Sequence, residues 1–309
     1  MDKKISIKKN EKLNRSYVDM HLHSRSSDGS LSEEDLVNIV VKNGLKGVSL
    51  TNHDTLLGQS KFIELASKKD IKVITGIEIS SVYKNYAVHI LGYGVNLFSE
   101  SLLNEHLKPT WETLNDSAMV VVRRVKKLGI GIFEGANNIK KVRKLINSHS
   151  PVVSFNSLFH FIHSKTNLPV SHLWNLVFKS RSDFWRLMVK PEMLSPVEAV
   201  GLVKKMGGKS VLAHPGTICL RGNTTEFDEN IVSDIISLLL ENGLNGIEVY
   251  YPRHTKKQME LYQSIVKKYN LIVTAGSDFH GSYTPKLSVG APPGLDFEDF
   301  LRLKDFCES

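Results

Sequence analysis

The sequence has 309 residues, of which 41% are hydrophobic and 23% charged, a composition typical of a globular protein large enough to bury a full core. Its two cysteines, Cys219 and Cys307, are too few for a disulfide framework, so we expect a cytoplasmic protein. No apolar run approaches the length of a membrane span, and we expect no membrane partner. Residues 1–16 are rich in lysine but lack the apolar stretch of a secretory signal, and they are interpreted as a solvated basic extension.

The positive charge is unevenly distributed. The formal net charge is +8, and residues 101–195 carry fourteen Lys or Arg against six Asp or Glu, so this stretch accounts for the whole excess. A basic region beside a neutral one suggests an anionic ligand such as phosphate or a short nucleic acid. The alternative is that the charge serves solubility alone.

The first hundred residues alternate strands and helices. Ser32 is a candidate N-cap, and Gly44 is placed to end the same helix. This alternation is typical of a parallel sheet built from βα units. We predict strands at 17–23, 47–50, 71–79 and 88–93, and helices at 32–43 and 58–69.

The pattern changes from about residue 101 to residue 191, where helical periodicity dominates and 114–128 is the clearest helix. The α/β alternation then resumes, beginning with a helix capped by Ser195 and with Pro196 in its first turn. We therefore expect one α/β domain, formed by residues 17–100 and 192–309, interrupted by a basic helical insertion at 101–191. The later predicted helices are 195–206, 231–242 and 255–269, and the strands that follow them are 209–213, 246–250 and 271–275.

Histidines and carboxylates occur repeatedly in these strands or just after them. His21 and His23 lie two apart on one strand, so their side chains share a face. That pair alone is weak evidence for a metal site. In a barrel of parallel strands, however, the C-terminal ends of all strands converge at one end of the barrel, where further ligands would meet. Imidazole and carboxylate together suit zinc, manganese or iron better than magnesium or calcium. The further candidates are His53, Glu78, His89, His214, Asp278 and His280.

The motifs are similar to those of the PHP (polymerase and histidinol phosphatase) family, in the family's usual order over roughly residues 17–95 and 195–290. The match is best to the bacterial branch that hydrolyses nucleoside 3′,5′-bisphosphates and trims RNA 5′ ends. The resemblance implies an α/β fold, a distorted (β/α)7 TIM-like barrel with the helical insertion. The motifs are VDMHLHSRSSDGSLS, SLTNHDTLLG, VITGIEIS, VHILGYGV, VLAHPG, IEVYYPRHT and TAGSDFHG.

The resemblance also implies two to three divalent ions, Mn²⁺, Fe²⁺ or Zn²⁺. His21, His23, Glu78 and Asp278 would hold the first ion, Glu78, His89 and His214 the second, and Asp28, His53 and His280 the third, with Glu78 shared. Clustered ions of this kind lower the pKa of bound water and polarise phosphoryl oxygens, so we expect a metal-activated hydroxide to attack phosphorus.

Other roles are less constrained. His254 could protonate the leaving group or bind phosphate, although it could equally be an exposed loop residue. Asp54 is a catalytic candidate or an orienter of its neighbour His53, and Arg253 and Lys190 are candidate phosphate-binding residues. Asp19 is predicted to be structural. Aromatic residues of the insertion could stack on a base or form its core: Phe155, Phe159, Trp174, Phe178 and Trp185.

The insertion departs from the family pattern. His149-Ser150-Pro151-Val152-Val153 stands where relatives carry a Gly-Arg-Pro-His type motif, and Met188-Val189-Lys190-Pro191 replaces a Tyr-Val-Pro segment. The leading hypothesis is a phosphatase or 5′→3′ exoribonuclease acting on an anionic nucleotide or short RNA, with no obligate protein partner. The alternatives are a small-metabolite phosphatase, for example of histidinol phosphate, and a catalytically silent binding module. His106, His149, His160, His163 and His172 match no ligand position and are predicted to be surface or packing residues.

Overall fold

A computed structural model describes residues 17–218, 228–284 and 286–308, and both Cys219 and the predicted basic extension lie outside these ranges. Its strands are β1 (Val18–Leu22), β2 (Gly47–Leu50), β3 (Lys72–Val73), β4 (Gly76–Tyr83), β5 (Tyr86–Tyr93), β6 (Lys209–Leu212), β7 (Gly246–Tyr250) and β8 (Ile272–Ala275). Its α-helices are α1 (Glu33–Lys42), α2 (Gln59–Ser67), α3 (Glu100–Lys127), α4 (Ile139–Leu145), α5 (Phe155–Thr166), α6 (Val170–Val177), α7 (Arg181–Met188), α8 (Pro196–Lys205), α9 (Glu229–Glu241), α10 (Lys256–Tyr269) and α11 (Phe297–Glu308).

The strands form two sheets. The first has the order β1-β2-β3 with all pairs parallel, and the second has the order β4-β5-β6-β7-β8. Isolated parallel bridges join them on both sides, between Leu22 and Phe279 and between His53 and Glu78. The carboxyl ends of β1, β2 and β8 therefore lie near β4. Residues from all four strands can then contribute to a single site at this end of the sheets.

The prediction of a parallel sheet is wrong around β5, which runs antiparallel to both β4 and β6. Only Lys84 and Asn85 separate β4 from β5, and Lys84 has a left-handed φ of 54°. A parallel neighbour requires a crossover of a dozen residues or more, so such a short turn can only reverse the chain.

The single strand predicted at 71–79 is also wrong, because it consists of β3 and β4, which belong to different sheets. The chain passes very close to β2 where β4 begins. A Cβ on Gly76 would lie 2.3 Å from Ser49 Oγ and 2.8 Å from the Leu50 carbonyl oxygen. Only glycine fits that approach.

The predicted caps are confirmed. Ser32 accepts a hydrogen bond from the Asp35 amide at the start of α1, and Ser195 forms a capping box with Glu198 at the start of α8. The helix predicted at 114–128 is the second half of α3, which continues back to Glu100 through Pro109.

The described residues form several apolar clusters. The largest lies between the sheets and α8, α9 and α10, and it includes Leu103 and Leu107 from the start of α3. The rest of α3 encloses another cluster together with α4 to α7, which includes Val125, Phe133, Leu158 and Ile162. Phe155, Phe159 and Phe178 belong to this second cluster. Among the described residues, no helix combines the length and apolar character needed to cross a membrane.

Candidate metal centre

The predicted first ligand group is brought together at the end of β1. His21 and His23 are fully buried, and their ligand atoms lie with those of Glu78 and Asp278 within 4.8 Å of one another. His21 Nε2 is 3.6 Å and His23 Nε2 is 3.3 Å from Asp278 Oδ1. Alternation along β1 and the bridge from Leu22 to Phe279 produce this arrangement.

A second group of ligand atoms lies beside the first. Asp28, His53, His280 and also His23 converge within 4.8 Å, and His280 Nε2 is 3.1 Å from Asp28 Oδ1. This matches the predicted third set with His23 added. His53, Glu78 and His89 form a further convergent group.

Glu78 is the central carboxylate. Its Oε2 faces three imidazole nitrogens, those of His21 at 3.0 Å, His23 at 3.2 Å and His53 at 3.3 Å. Its Oε1 faces two more, His89 Nδ1 at 2.9 Å and His214 Nε2 at 3.0 Å. One carboxylate with its oxygens directed at two sets of imidazoles has the geometry of a bridging ligand.

A buried carboxylate that was not predicted orients this cluster. Glu248, on β7, accepts a hydrogen bond from His21 Nδ1 (2.9 Å) and another from the His214 amide (2.8 Å). The first bond leaves the His21 Nε2 lone pair directed at Glu78 and Asp278. The signal in the sequence was a charged residue in the middle of an otherwise apolar strand, which is costly to bury without a partner.

Other histidines are oriented similarly. His280 Nδ1 donates to the Asp278 carbonyl oxygen at 2.9 Å, and His214 Nδ1 is 3.0 Å from Thr217 Oγ1. Each ring is thereby held with Nε2 toward the cluster. The backbone is strained nearby, since His214 and Asp278 adopt positive φ angles of 26° and 55°, a cost that proteins tolerate mainly at functional sites.

The electrostatics of the cluster favour ionised carboxylates. Burial opposes ionisation of Glu78, but His53, His21 and His89 outweigh it and hold its pKa well below the usual range. Burial likewise opposes ionisation of Asp28, and His280 and His53 still lower its pKa. The site therefore presents anionic oxygens to whatever binds there.

The donor set fits divalent metal ions. Both ring nitrogens of His23 and Nδ1 of His53 are buried and form no hydrogen bond with any described residue, although carboxylate oxygens lie 3.2 and 3.3 Å from His23 Nε2. Buried polar atoms are almost always paired, and a metal ion bound between the imidazoles and the carboxylates would supply the partner. Imidazole nitrogens mixed with carboxylate oxygens suit zinc, manganese or iron.

Asp54 lies beside this cluster, buried and with a positive φ of 55°. Its Oδ1 accepts a hydrogen bond from the Ser80 amide at 2.8 Å, and it lines the same cavity as His53 and His89. Burial raises the pKa of its carboxyl to about 6.

Asp19 is also buried, and it accepts hydrogen bonds from the amides of His21, Ser277 and Gly290, so it connects β1 to the segments that follow β8.

His254 is neither exposed nor free. Its Nδ1 donates to the Val249 carbonyl oxygen at 2.9 Å, and its Nε2 accepts from the Gly216 amide at 3.1 Å. Both nitrogens are engaged within the protein, and the ring packs behind Tyr251, whose hydroxyl donates to Asp278 Oδ2 at 2.9 Å. His254 is thus placed to hold the loops that carry His214 and Asp278.

Two cavities open from the cluster toward the helices. One, of about 270 Å³, is lined by His214, Asp278 and His280 together with the predicted Arg253 and an arginine that was not predicted, Arg181 at the start of α7. The predicted Lys190 lines neither cavity.

The other cavity, of about 310 Å³, has largely apolar walls. Its lining includes Asp28 and His53 at the base and no Lys or Arg. Asn156 of α5 donates to Asp28 Oδ2 at 3.1 Å, and one turn later His160 stacks on Tyr283 at 3.7 Å. The helices therefore contact the metal-ligand candidates directly. The aromatic residues on its walls are Phe155, Phe159, Trp174 and Phe184.

Other residues of the insertion that the sequence singles out lie elsewhere. Phe178 lies in the helical core, and Trp185 lines the smaller cavity. His106 lies 3.1 Å from Lys205 Nζ, and the His163 Nδ1 atom is 2.8 Å from the Leu168 carbonyl oxygen.

Comparison with known proteins identifies the family of this chain and several similar enzymes. The PHP domain family model matches residues 19–263. The phosphoribosyl 1,2-cyclic phosphate 1,2-diphosphodiesterase of Eggerthella lenta is 27% identical over 86% of this chain and 94% of its own length. The 5′-3′ exoribonuclease Rnm of Escherichia coli is 24% identical over 85% and 84% of the two chains. The 3′,5′-nucleoside bisphosphate phosphatase of Chromobacterium violaceum is 26% identical over 85% and 87%.

A solved structure supports the fold. That of an amidohydrolase from Chromobacterium violaceum with bound sulfate superposes with a TM-score of 0.73 at 23% identity, covering 94% of this chain and 97% of the other. Fold and site together define a hydrolase of phosphoric ester bonds. The chain belongs to the PHP domain family.

Proposed function

We propose that the protein is a metal-dependent phosphoesterase of nucleotides that acts on nucleoside 3′,5′-bisphosphates or the 5′ ends of short RNA. The observation that carries this proposal is Glu78, whose two oxygens face five histidines. Two of these, His53 and His89, line the 310 Å³ cavity, which we call the aromatic cavity. Two of the relatives, an exoribonuclease and a bisphosphate phosphatase, act on such substrates by name.

The cluster would hold two to three ions, Mn²⁺, Fe²⁺ or Zn²⁺, on the nine predicted ligands, with Glu78 shared. Such ions supply a hydroxide near neutral pH and neutralise phosphoryl charge. The two sheets would form the distorted seven-unit barrel of the family, joined through the bridges at Leu22 and His53. Glu248 orients His21 and the His214 loop.

The helical segment 101–191 would bind the substrate. Its aromatic rings offer faces on which a nucleobase stacks, and Arg181 and Arg253 present planar guanidinium groups suited to a second phosphate. Asp54 is close enough to the cavity to take part in proton transfer, and His254 acts as a positioning residue because neither of its nitrogens is free.

The test compares phosphate release from four substrates by the Mn²⁺-loaded protein: adenosine 3′,5′-bisphosphate, a 5′-phosphorylated oligonucleotide, histidinol phosphate and phosphoribosyl 1,2-cyclic phosphate. We expect the two nucleotide substrates to give the highest kcat/KM. A higher value for the cyclic phosphate would favour the activity of the Eggerthella lenta relative, and one for histidinol phosphate would favour a metabolite phosphatase. No release from any of them, with metal bound, would indicate a silent module.

Trp174→Ala tests the aromatic cavity within the same assay. Stacking on a base is worth about 1–3 kcal/mol, so KM for adenosine 3′,5′-bisphosphate should rise by roughly 5- to 150-fold. Ribose 5-phosphate, which lacks the base, should be affected little. Phe98→Ala is the matched control, since that ring is 94% exposed and lines neither cavity. Equal losses on both substrates would contradict base stacking in this cavity.

A further inference from the structure

One part of the helical segment carries most of the molecule's net positive charge. Residues 121–148 contain eight Lys or Arg and a single acidic residue, Glu134, whereas the whole chain has a formal net charge of +8. These residues form the end of α3, the whole of α4 and the connection between them. Positive charge is therefore concentrated in this short part of the helical segment.

Only some of these cations are used inside the segment. Arg124 pairs with Asp183 at 2.6 Å, and Lys126 Nζ donates to the Ala136 carbonyl oxygen at 3.1 Å. Three lysines of α4 are exposed and form no ion pair with any described residue. We call Lys140, Lys141 and Lys144 the α4 lysines.

The helix that carries the α4 lysines is attached to the wall of the aromatic cavity. Arg143, on the same short helix, donates through Nη2 to the Pro151 carbonyl oxygen at 2.6 Å. Asn115 binds that same oxygen and also accepts a hydrogen bond from the Val153 amide. Val153 and its neighbours Val152 and Ser154 line the cavity, so α4 is bonded directly to the cavity wall.

We infer that the α4 lysines hold the sugar-phosphate backbone of a single-stranded nucleic acid whose terminal nucleotide lies in the aromatic cavity. This inference rests on the proposed function and makes a strand, rather than only a mononucleotide, the substrate class. Exposed lysines without acidic partners bind successive phosphates as point charges. The aromatic walls take an unpaired base, which a duplex end does not offer.

The experiment is a salt titration of the triple variant Lys140→Ala, Lys141→Ala, Lys144→Ala. Each phosphate contact with a single strand contributes roughly 0.7 to the slope of log affinity against log salt. For a phosphorothioate oligonucleotide that resists hydrolysis, measured by fluorescence anisotropy, the slope should fall by about 2. Hydrolysis of adenosine 3′,5′-bisphosphate should be unchanged, because this single nucleotide has no further backbone phosphates and the α4 lysines line neither cavity.

The matched control removes three exposed lysines outside the helical segment, one just after α2, one in α8 and one in α10: Lys69→Ala, Lys204→Ala, Lys267→Ala. It takes away the same net charge at a distance from the cavity, so its salt slope should equal that of the unaltered protein. An equal fall in the control, or an unchanged slope in the α4 variant, would overturn the inference. So would tighter, α4-dependent binding of an acidic peptide or of anionic vesicles than of the oligonucleotide.

Failure of the proposed function gives a different result. If the Mn²⁺-loaded protein released no phosphate from any nucleotide yet bound the oligonucleotide through the α4 lysines, the proposed activity would be wrong and the proposed binding surface would be supported. If it hydrolysed the bisphosphate but the α4 lysines did not contribute to oligonucleotide binding, the proposed activity would be supported and the proposed binding surface would be wrong.

Discussion

The two sides of the cleft differ in how they are built. On the sheet side, the ligand candidates come from β1 and the loop after it, from β4 and β5, and from the loops that follow β2, β6 and β8. They are buried or partly buried, and they contact one another. On the helical side, the contacts that reach the site are few, and the helices are held by their own apolar core. The ligand candidates on the sheet side thus hold one another in place, whereas the helices on the other side of the cleft pack mainly against one another.

This contrast predicts where amino-acid substitutions should be tolerated. A change of one side chain around Glu78 leaves a buried charge or lone pair without its partner, which costs several kcal/mol. A change on the cavity wall alters contact area and shape while the helical core keeps its packing. Under the proposed function, the sheet side would carry the chemistry and the helical side the substrate specificity, and substitutions on the two sides should separate them.

Glu78→Gln should give the largest effect. It removes the charge that faces five histidines, so metal content should fall and kcat should drop by at least about 10³-fold, since clustered ions supply several kcal/mol of transition-state stabilisation. Metal analysis of the purified variant together with phosphate release measures both. Glu64→Gln, at an exposed pair with Lys68 on α2, is the control. Full metal content in the Glu78 variant would show that Glu78 is not the shared ligand.

Glu248→Gln should give an intermediate effect. Both carboxylate oxygens accept a hydrogen bond, one from His21 and one from the His214 amide, whereas an amide has a single acceptor oxygen. Metal affinity should weaken by about 10- to 100-fold, the usual cost of losing a partner that orients a ligand. Competition with a chelator measures it, with the exposed Glu260→Gln as control. A lower Tm with unchanged metal affinity would reduce Glu248 to a structural role.

The sequence predicts most of the sheet side because the physical rules there are local. Strand alternation puts His21 and His23 on one face, and a residue that directly follows a parallel strand must lie at the shared edge. The nine predicted ligand candidates do converge in space, although their binding of metal stays a prediction. Glu248 is not among the predicted residues, because a single charged residue in an apolar strand indicates a buried partner but does not identify that partner.

The rest depends on packing between distant segments. That β5 runs antiparallel followed from a two-residue turn, which periodicity does not reveal. The positions of Asn156 and Arg181 near the site depend on how α5 and α7 lie against the loops after β1 and β8. Lys190 was chosen for its charge and place in the chain, yet it lines neither cavity. The sequence does name Phe155, Phe159 and Trp174 as candidates, and these line the aromatic cavity, but Asn156 and Arg181 could not be assigned from it.

Asp183→Asn should have the smallest effect and tests whether the helical side is held independently. Asp183 accepts two hydrogen bonds from Arg124, at 2.6 and 2.9 Å, and a third from the Lys179 amide. Losing these charge-assisted bonds should cost about 1.5–3 kcal/mol, which lowers Tm by on the order of 5 °C. Metal content should not change, because the pair lies in the helical segment away from the ligand cluster. Thermal melts and metal analysis measure the two quantities.

The same carboxylate predicts a pH dependence. Its hydrogen bonds with Arg124 hold the pKa of Asp183 below the usual range, so its stabilising contribution is complete above the ordinary carboxyl pKa of about 4. It is lost as the pH falls through the lower pKa of the folded state. The unaltered protein should therefore lose its Tm advantage over the Asn variant in acid. Asp299→Asn, at an exposed pair with Arg302, should show neither effect. A Tm difference between the unaltered protein and the Asp183 variant that stayed constant down to strongly acid pH would show that Arg124 does not stabilise the helices through this charge.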